Sequence, residues 1–335
     1  MDPSRDFVSL IERLPKVELH LHLEGSIPRA LAHSLAERCG VELPEWFRGD
    51  GPPQFTSFRE FIDIYLAISR CLVRVEDFAE VAEAVAANLA AHNVVAAEVT
   101  FTPMTHVQRG VRADTLLTGL RLGRDRALEH HGVELSWVFD IVRSFPDQAE
   151  PTVLLAMHAR DQGLVGLGLA GPETEPHHPD IDAAFARART AGIHAVPHAG
   201  EFSGPDSIWH AINVLGAARI GHGIRCLEDP ALVDHLRMSQ LPLEVCPRSN
   251  VLLGVVSRLE RHPLPDLMAA GLEVNISTDD PSIFGATLVD EYVSCAQTFA
   301  WNEEQIRHVA AAAITHSFLP EARKRDLLAA QAATR

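Results

Sequence analysis

Short apolar runs, several of them rich in β-branched residues, alternate along the chain with longer Ala-rich stretches whose apolar positions recur every three or four residues. The first kind reads as strands and the second as the amphipathic helices that cover them. Eight strands are predicted: Lys16 to Leu23, Val94 to Phe101, Glu134 to Val142, Leu164 to Leu169, Ile193 to His198, Arg219 to His222, Pro242 to Cys246, and Leu272 to Ser277. Between the first two, Phe78, Val81, Ala82, Val85 and Leu89 fall on one helical face and form a packing surface. Ile181, Ala184, Phe185 and Ala188 repeat that rhythm after Pro179, and Gly192 supplies the stop before the next strand. Gly49-Asp50-Gly51-Pro52-Pro53 and Gly171 to Pro179 read as loops, since periodic structure resumes promptly on either side. The Ala-rich end, Leu327 to Arg335, is expected to fray.

Strands alternating with helices in this number predict an α/β fold, a (β/α)8 TIM barrel with extra helices. Residues 1–335 are expected to form one domain, because barrels of this kind run this long and the 47% hydrophobic content supplies the core. An open doubly wound sheet is the alternative, but no Gly-x-Gly-x-x-Gly turn follows the first strand to support a dinucleotide site.

The formal net charge of -16 argues against a grip on nucleic acid or an anionic membrane face, both of which need clustered Lys and Arg. A small diffusible substrate fits better, and a homo-oligomer is compatible with the composition. The five cysteines are scattered without Cys-x-x-Cys spacing and are expected to be reduced and mostly buried. The N-terminus lacks a basic region followed by an apolar stretch, so a cytoplasmic location is expected.

Polar signatures cluster at the ends of the predicted strands, where a parallel barrel carries its functional groups. His20 and His22 are two apart and share a strand face, so both can approach one ion. Ordinary histidines near a strand end would look the same, but Glu18, Glu24 and Gly25 flank them, and carboxylates often orient metal-binding imidazoles. His198-Ala199-Gly200-Glu201 offers a third imidazole and, after a glycine turn, a carboxylate beside the ion. His222 sits between Gly221 and Gly223, which permit close approach. In Asp279-Asp280-Pro281 the first carboxylate can bind metal while its neighbour accepts a hydrogen bond from substrate; helix capping is the competing reading. His106, His130-His131, His177-His178 and His316 have no partners at predicted strand ends and read as surface or packing residues.

The segments Leu14-Pro-Lys-Val-Glu-Leu-His-Leu-His-Leu-Glu-Gly-Ser, Leu169-Ala-Gly-Pro-Glu, His198-Ala-Gly-Glu, Arg219-Ile-Gly-His-Gly, Glu244-Val-Cys-Pro-Arg-Ser-Asn and Ser277-Thr-Asp-Asp-Pro resemble, in order, the motifs of the adenosine deaminase family. The likeness runs from about Leu14 to Leu319. It implies a (β/α)8 barrel, one zinc ion (Zn2+) and hydrolytic removal of the 6-amino group of a purine. It assigns zinc to His20, His22, His198 and Asp279, and proton donation at purine N1 to Glu201. His222 becomes base and electrostatic partner of the attacking water, Asp280 meets N7, and the Gly171 N–H meets N3.

Adenine deaminases of that family resemble Asp-His-Gly where this chain has Gly221-His222-Gly223, and a Ser-Ser-Glu turn where it has Ala170-Gly171-Pro172-Glu173, so the chain resembles the nucleoside branch. Adenosine deaminases proper usually carry an aspartate, which receives the ribose 5′-hydroxyl, where this chain has Glu24. With Phe58, Phe61 and Tyr65 in the segment resembling the family's apolar lid, Glu24 suits a nucleoside with a modified 5′ end. Phe101-Thr-Pro-Met-Thr-His, Val196-Pro-His-Ala-Gly-Glu and Phe284-Gly-Ala-Thr-Leu resemble bacterial members that deaminate aminodeoxyfutalosine on a menaquinone route. Adenosine, methylthioadenosine and adenine are the alternative substrates. A zinc hydrolase of amides or esters and an inactive nucleoside-binding relative are the alternatives of other classes. Arg143 and Arg248 are candidates to pair with a substrate carboxylate.

Overall fold

The computed structural model describes residues 3–48 and 51–334. Eight parallel strands follow one another in order around a barrel: β1 (Lys16–His22), β2 (Val94–Phe101), β3 (Glu134–Val142), β4 (Leu164–Ala170), β5 (His194–Ala199), β6 (Ile220–His222), β7 (Leu243–Val245) and β8 (Val274–Ile276). The predicted (β/α)8 barrel is the observed fold. Closure comes just past β8, where Leu21 and Asp279 bridge and the His22 N–H donates to the Asp279 carbonyl at 2.7 Å. A carboxylate reinforces the seam, since Glu18 on β1 accepts from the Thr278 N–H at 2.9 Å and from its hydroxyl. Burial pushes the Glu18 carboxyl up to about 7 against those hydrogen bonds.

The strands are buried on both faces because helices cover them outside and side chains fill the barrel inside. Phe78, Val81, Ala82, Val85 and Leu89 are buried on the helix Val75–Ala91, and Ile181, Ala184, Phe185 and Ala188 on Pro179–Thr190, as their periodicity predicts. β2 and β3 match the sequence expectation at both ends, the other strands differ by one or two residues at an end, most at β8, and β6 to β8 are three residues each. There the chain turns away to aim a polar side chain, and an apolar pattern cannot mark where that happens.

The Ala-rich end is not frayed. Residues up to 333 belong to the helix Glu321–Ala333, in which Leu327 and Gln331 are buried, and only Arg335 of that stretch lies outside the described residues. Gly49 and Asp50 of the predicted first loop also lie outside the described residues, while residues 51–53 carry no regular structure. All five cysteines are free; Cys39 is exposed and the other four are buried. Among the described residues no helix is long and apolar enough to cross a membrane.

Candidate metal centre

Four of the predicted donors converge at the C-terminal mouth of the barrel. His22 Nε2 lies 3.3 Å from His198 Nε2 and 3.2 Å from Asp279 Oδ1, and His20 Nε2 lies 3.4 Å from the same oxygen. Donors about 2.0–2.1 Å from a tetrahedral ion stand about 3.3–3.4 Å apart, and these three separations match edges of such a shell. The His20 Nε2 atom is buried without a hydrogen-bond partner, which also fits a donor arranged for a cation. The donor set, imidazole nitrogens with one carboxylate oxygen, suits a zinc-like divalent ion.

Outer hydrogen bonds turn these donors inward. Glu244 accepts from His20 Nδ1 at 2.9 Å, which places the ring proton there and leaves the Nε2 lone pair facing the site. Arg219, itself buried, bridges Glu244 to Glu98 and lies 4.0 Å over the Phe318 ring. Ser249 donates to Asp279 Oδ2 at 2.6 Å and leaves Oδ1 for the cluster. The backbone at Asp279 is left-handed, with φ 67°, as it is at His222, with φ 62°. Strain of this kind in non-glycine residues collects at functional sites. Asp280 heads the short helix Pro281–Phe284 without a side-chain capping bond, so the capping reading does not account for its carboxylate.

Glycines let these groups crowd together. A Cβ on Gly221 would sit 2.8 Å from His20 Cε1, and one on Gly25 would run into the Asp280 carboxylate. The expected turn at Gly200 has φ 72° and delivers Glu201 to the same mouth. That turn hangs on Glu173. Its carboxylate accepts from the backbone N–H groups of Gly200 (2.6 Å), Glu201 (2.8 Å), Phe202 and Ser203 (2.9 Å), and from the Ser207 hydroxyl (2.7 Å). Burial would raise the Glu173 carboxyl, but these donors hold it below its usual range. Replacement by Gln turns an N–H toward donors that need an acceptor, so Glu173→Gln is expected to cost roughly 2–4 kcal/mol, from two or more unsatisfied amides at 1–3 kcal/mol each. Denaturant unfolding measures it; a loss under about 0.5 kcal/mol, the range of inconsequential surface changes, would contradict this account.

The electrostatics divide the acids by role. Burial would raise Asp279, but the His20 and His22 rings beside it dominate and hold it well below the usual carboxylate range. Burial pushes Glu201 well above its ordinary value, with Asp279 and Glu173 adding to the effect. Asp280 is likewise pushed well up by burial; Asp279 and Glu24 reinforce this and His22 opposes it. Burial lowers His222 to about 4, opposed by Asp279 and reinforced by His20, so its imidazole is neutral near pH 7.

Of the predicted substrate contacts, Gly171 directly follows β4, with φ 91°. Phe61 is buried and stacks on Phe284 at 5.2 Å, and Tyr65 turns its ring edge toward His22 at 6.3 Å. Phe58 reaches Phe202 at 5.3 Å, and Phe55 joins Phe61, Phe284 and Trp46 into one aromatic wall. Glu24 is fully buried, with Oε1 3.0 Å from His106 Nε2. His106, read from sequence as surface or packing, is therefore a buried partner of a site residue. Its Nδ1 faces the Arg109 guanidinium at 3.0 Å, and a guanidinium only donates, so His106 must donate from Nε2 to Glu24. Other excluded histidines have partners outside the donor cluster: His130 pairs with Glu83, His177 stacks on His210, His178 caps a helix and His316 pairs with Glu273.

The two candidate arginines are already engaged. Arg143 donates to the carbonyls of Gly171 and His198, and Arg248 pairs with Glu291. Neither is held out for a substrate carboxylate. Sequence reasoning also missed Asp140 at the end of β3, which is buried with both oxygens unpartnered and lies within 4.8 Å of nitrogens of His22 and His198. Gly168, its register partner on β4, leaves it the room, since a Cβ there would strike Asp140 Oδ1.

The chain is similar to known deaminases over nearly its whole length. The chain is 36% identical over 329 residues to aminodeoxyfutalosine deaminase of Streptomyces coelicolor, covering 95% of this chain and 84% of that one. It is 37% identical over 332 residues to adenine deaminase of Rhodospirillum rubrum, covering 97% and 98%. The crystal structure of adenine deaminase from Arthrobacter aurescens superposes with a TM-score of 0.88 at 34% identity, over 95% of this chain and 98% of that one. The adenosine deaminase family profile matches residues 15–333, nearly the whole barrel that positions these donors, and the chain belongs to that family.

Proposed function

We propose that the protein hydrolyses the 6-amino group of a purine nucleoside, giving the 6-oxopurine nucleoside and ammonia, with one zinc ion held by His20, His22, His198 and Asp279. The observation that carries this reading is the juxtaposition of the tetrahedrally spaced donors with Glu201, a buried carboxyl pushed well above its ordinary pKa. The bound ion supplies Lewis acidity and brings the pKa of water toward about 7. Water attack at C6 breaks the aromatic system, so N1 must gain a proton as the bond forms. Glu201, an acid at neutral pH, gives that proton. His222 faces the attacking water. Asp280 addresses N7, and because N7 carries a lone pair the carboxyl must donate there rather than accept; its raised pKa keeps the proton available. The Gly171 N–H meets N3. The Glu201 carboxylate left after N1 is protonated takes up the protons of the attacking water in turn and passes one to the amine. The C6–N bond thereby breaks, C6=O forms, and ammonia leaves with Glu201 again protonated.

For the substrate we favour aminodeoxyfutalosine, a step of menaquinone biosynthesis. The Streptomyces coelicolor relative bears that name. The aromatic wall of Trp46, Phe55, Phe58, Phe61, Phe202 and Phe284 suits an aryl 5′ substituent, and Glu24, pinned through one oxygen by His106, offers the other to a ribose hydroxyl. Free adenine is the second reading, favoured by the similarity to the Rhodospirillum rubrum enzyme. Measured kcat/KM of the zinc-loaded protein is expected to rank aminodeoxyfutalosine above adenosine, methylthioadenosine and adenine by at least about tenfold, the discrimination a filled apolar pocket supplies. A preference for adenosine would sink the narrower assignment, and one for adenine would establish the second reading. Absence of turnover on all four would return the site to an amide or ester hydrolase or, without bound zinc, to an inactive nucleoside-binding relative.

A further inference from the structure

His222 is ambiguous in geometry alone. Donor atoms of His20, His198, His222 and Asp279 all lie within 4.8 Å of one another, so His222 stands where a ligand could stand. Its role turns on which ring nitrogen carries the proton, and a chain of hydrogen bonds from the backbone decides that.

The Leu264 N–H faces His262 Nδ1 at 3.0 Å. A backbone amide can only donate, so Nδ1 keeps its lone pair and the His262 ring proton is on Nε2. That Nε2 lies 3.1 Å from Asn250 Oδ1. An N–H there requires an acceptor, which fixes the Asn250 amide with its oxygen toward His262 and its NH2 toward the site. The amide nitrogen is 3.3 Å from Glu201 Oε1 and 3.2 Å from His222 Nδ1, one hydrogen for each. His222 Nδ1 therefore accepts, and the neutral ring carries its proton on Nε2. Asn250 is fully buried and His262 nearly so, so solvent offers no alternative partners.

We propose that His262 and Asn250 are positioning residues that hold His222 as the Nε2–H tautomer, making it a hydrogen-bond donor to the reacting oxygen rather than a base or a metal ligand, and that keep the acid proton of Glu201 on Oε2. This rests on the deaminase reading for the identity of the reacting oxygen, and on hydrogen bonds alone for the tautomer. A nitrogen bearing a proton has no lone pair for an ion, which removes His222 from the ligand set and leaves His22 in it. Because Asn250 donates to Glu201 Oε1, that oxygen serves as the carbonyl, and the O–H falls on Oε2, 3.7 Å from His222 Nε2. One amide thereby orients two donors toward one pocket: Glu201 toward the ring nitrogen and His222 toward the incoming oxygen.

The test is a long-range 1H–15N spectrum of zinc-loaded protein labelled with 15N-histidine, the His222 signals being assigned by their loss in His222→Asn. At neutral pH His222 and His262 are both expected as neutral Nε2–H rings. In Asn250→Asp the carboxylate can only accept, so His222 is expected to become the Nδ1–H tautomer while kcat falls about 100-fold or more, the scale of a misdirected proton-transfer partner, with a much smaller change in KM. His262→Gln keeps an N–H where Nε2 stood and is expected to restore the His222 tautomer and most of kcat, whereas His262→Leu does neither. An Nδ1–H or imidazolium His222 in the unmodified protein overturns the proposal, as does a tautomer indifferent to Asn250→Asp or equal behaviour of the two His262 variants. If no 6-aminopurine is turned over, the deaminase reading fails, while the spectrum still decides the tautomer.

Discussion

Glu201→Gln is expected to bind its metal normally and to lose turnover by roughly a thousandfold, the middle of the range for a positioned general acid and about 4 kcal/mol of barrier. The substitution is close to isosteric, and Glu201 is not among the closely spaced donors, so the ligand geometry has no reason to change. The backbone of residue 201 stays pinned by Glu173. Asn250 still has a carbonyl oxygen to donate to in place of Oε1. Burial raises the Glu201 carboxyl well above its ordinary value and so favours the uncharged form, which the amide of Gln also presents, and stability should change little. What disappears is the proton that N1 must receive. The measurements are kcat on the preferred nucleoside and metal content of the purified protein; full metal with retained turnover would take Glu201 out of the acid role.

The barrel and most of its donors were legible in the sequence for one physical reason: a parallel strand buried on both faces is a short apolar run, and the first polar residue after it marks the mouth. His22, His198, His222 and Asp279 all follow such runs, and glycine beside His198 and His222 announces tight turns. What stayed hidden is whatever depends on a partner distant in sequence. His106 follows a strand end as the site histidines do, but its partner Glu24 is 82 positions away, so it read as packing. Arg143 and Arg248 carried the right charge for an anion, yet backbone carbonyls and Glu291 had already taken it. The Ala-rich end read as frayed because its few apolar residues show no strong stripe, although Leu327 and Gln331 are buried and Arg307 donates to the Gln331 and Thr334 carbonyls. The Glu173 nest and the Asn250 amide lie inside quoted motifs, Leu169-Ala-Gly-Pro-Glu and Glu244-Val-Cys-Pro-Arg-Ser-Asn, but which groups they hold is a matter of three-dimensional placement.

Metal loading is expected to release protons, and affinity should climb steeply with pH. Without an ion, the carboxylates of Asp279 and Glu244 are balanced by imidazolium: His20 is held well above its ordinary value and His22 is raised to about 9, both against the opposing effect of burial, through Asp279 together with Glu244 for His20 and Asp280 for His22. A ligand nitrogen must give up its proton to bind, so each imidazolium makes affinity rise about tenfold per pH unit until the folded pKa is passed. For His22 that rise continues up to about pH 9. The raised pKa has the opposite sign for the metal-free fold. Stability contributed by the His22 proton is fully present below about 6.5 and is lost as pH rises through about 9. The metal-free protein should therefore lose thermal stability between pH 7 and 9.5, while the stabilisation added by a fixed free concentration of zinc grows over the same interval, reaching about 4 kcal/mol once zinc exceeds its dissociation constant a thousandfold. Titration calorimetry in buffers of different ionisation enthalpy counts the released protons, and unfolding scans with and without chelator give the stability difference. Affinity flat from pH 6.5 to 9, with no proton released, would mean that Asp279 is not balanced by imidazolium in the metal-free site, and with it the account of how this cluster stays folded before the ion arrives would fall.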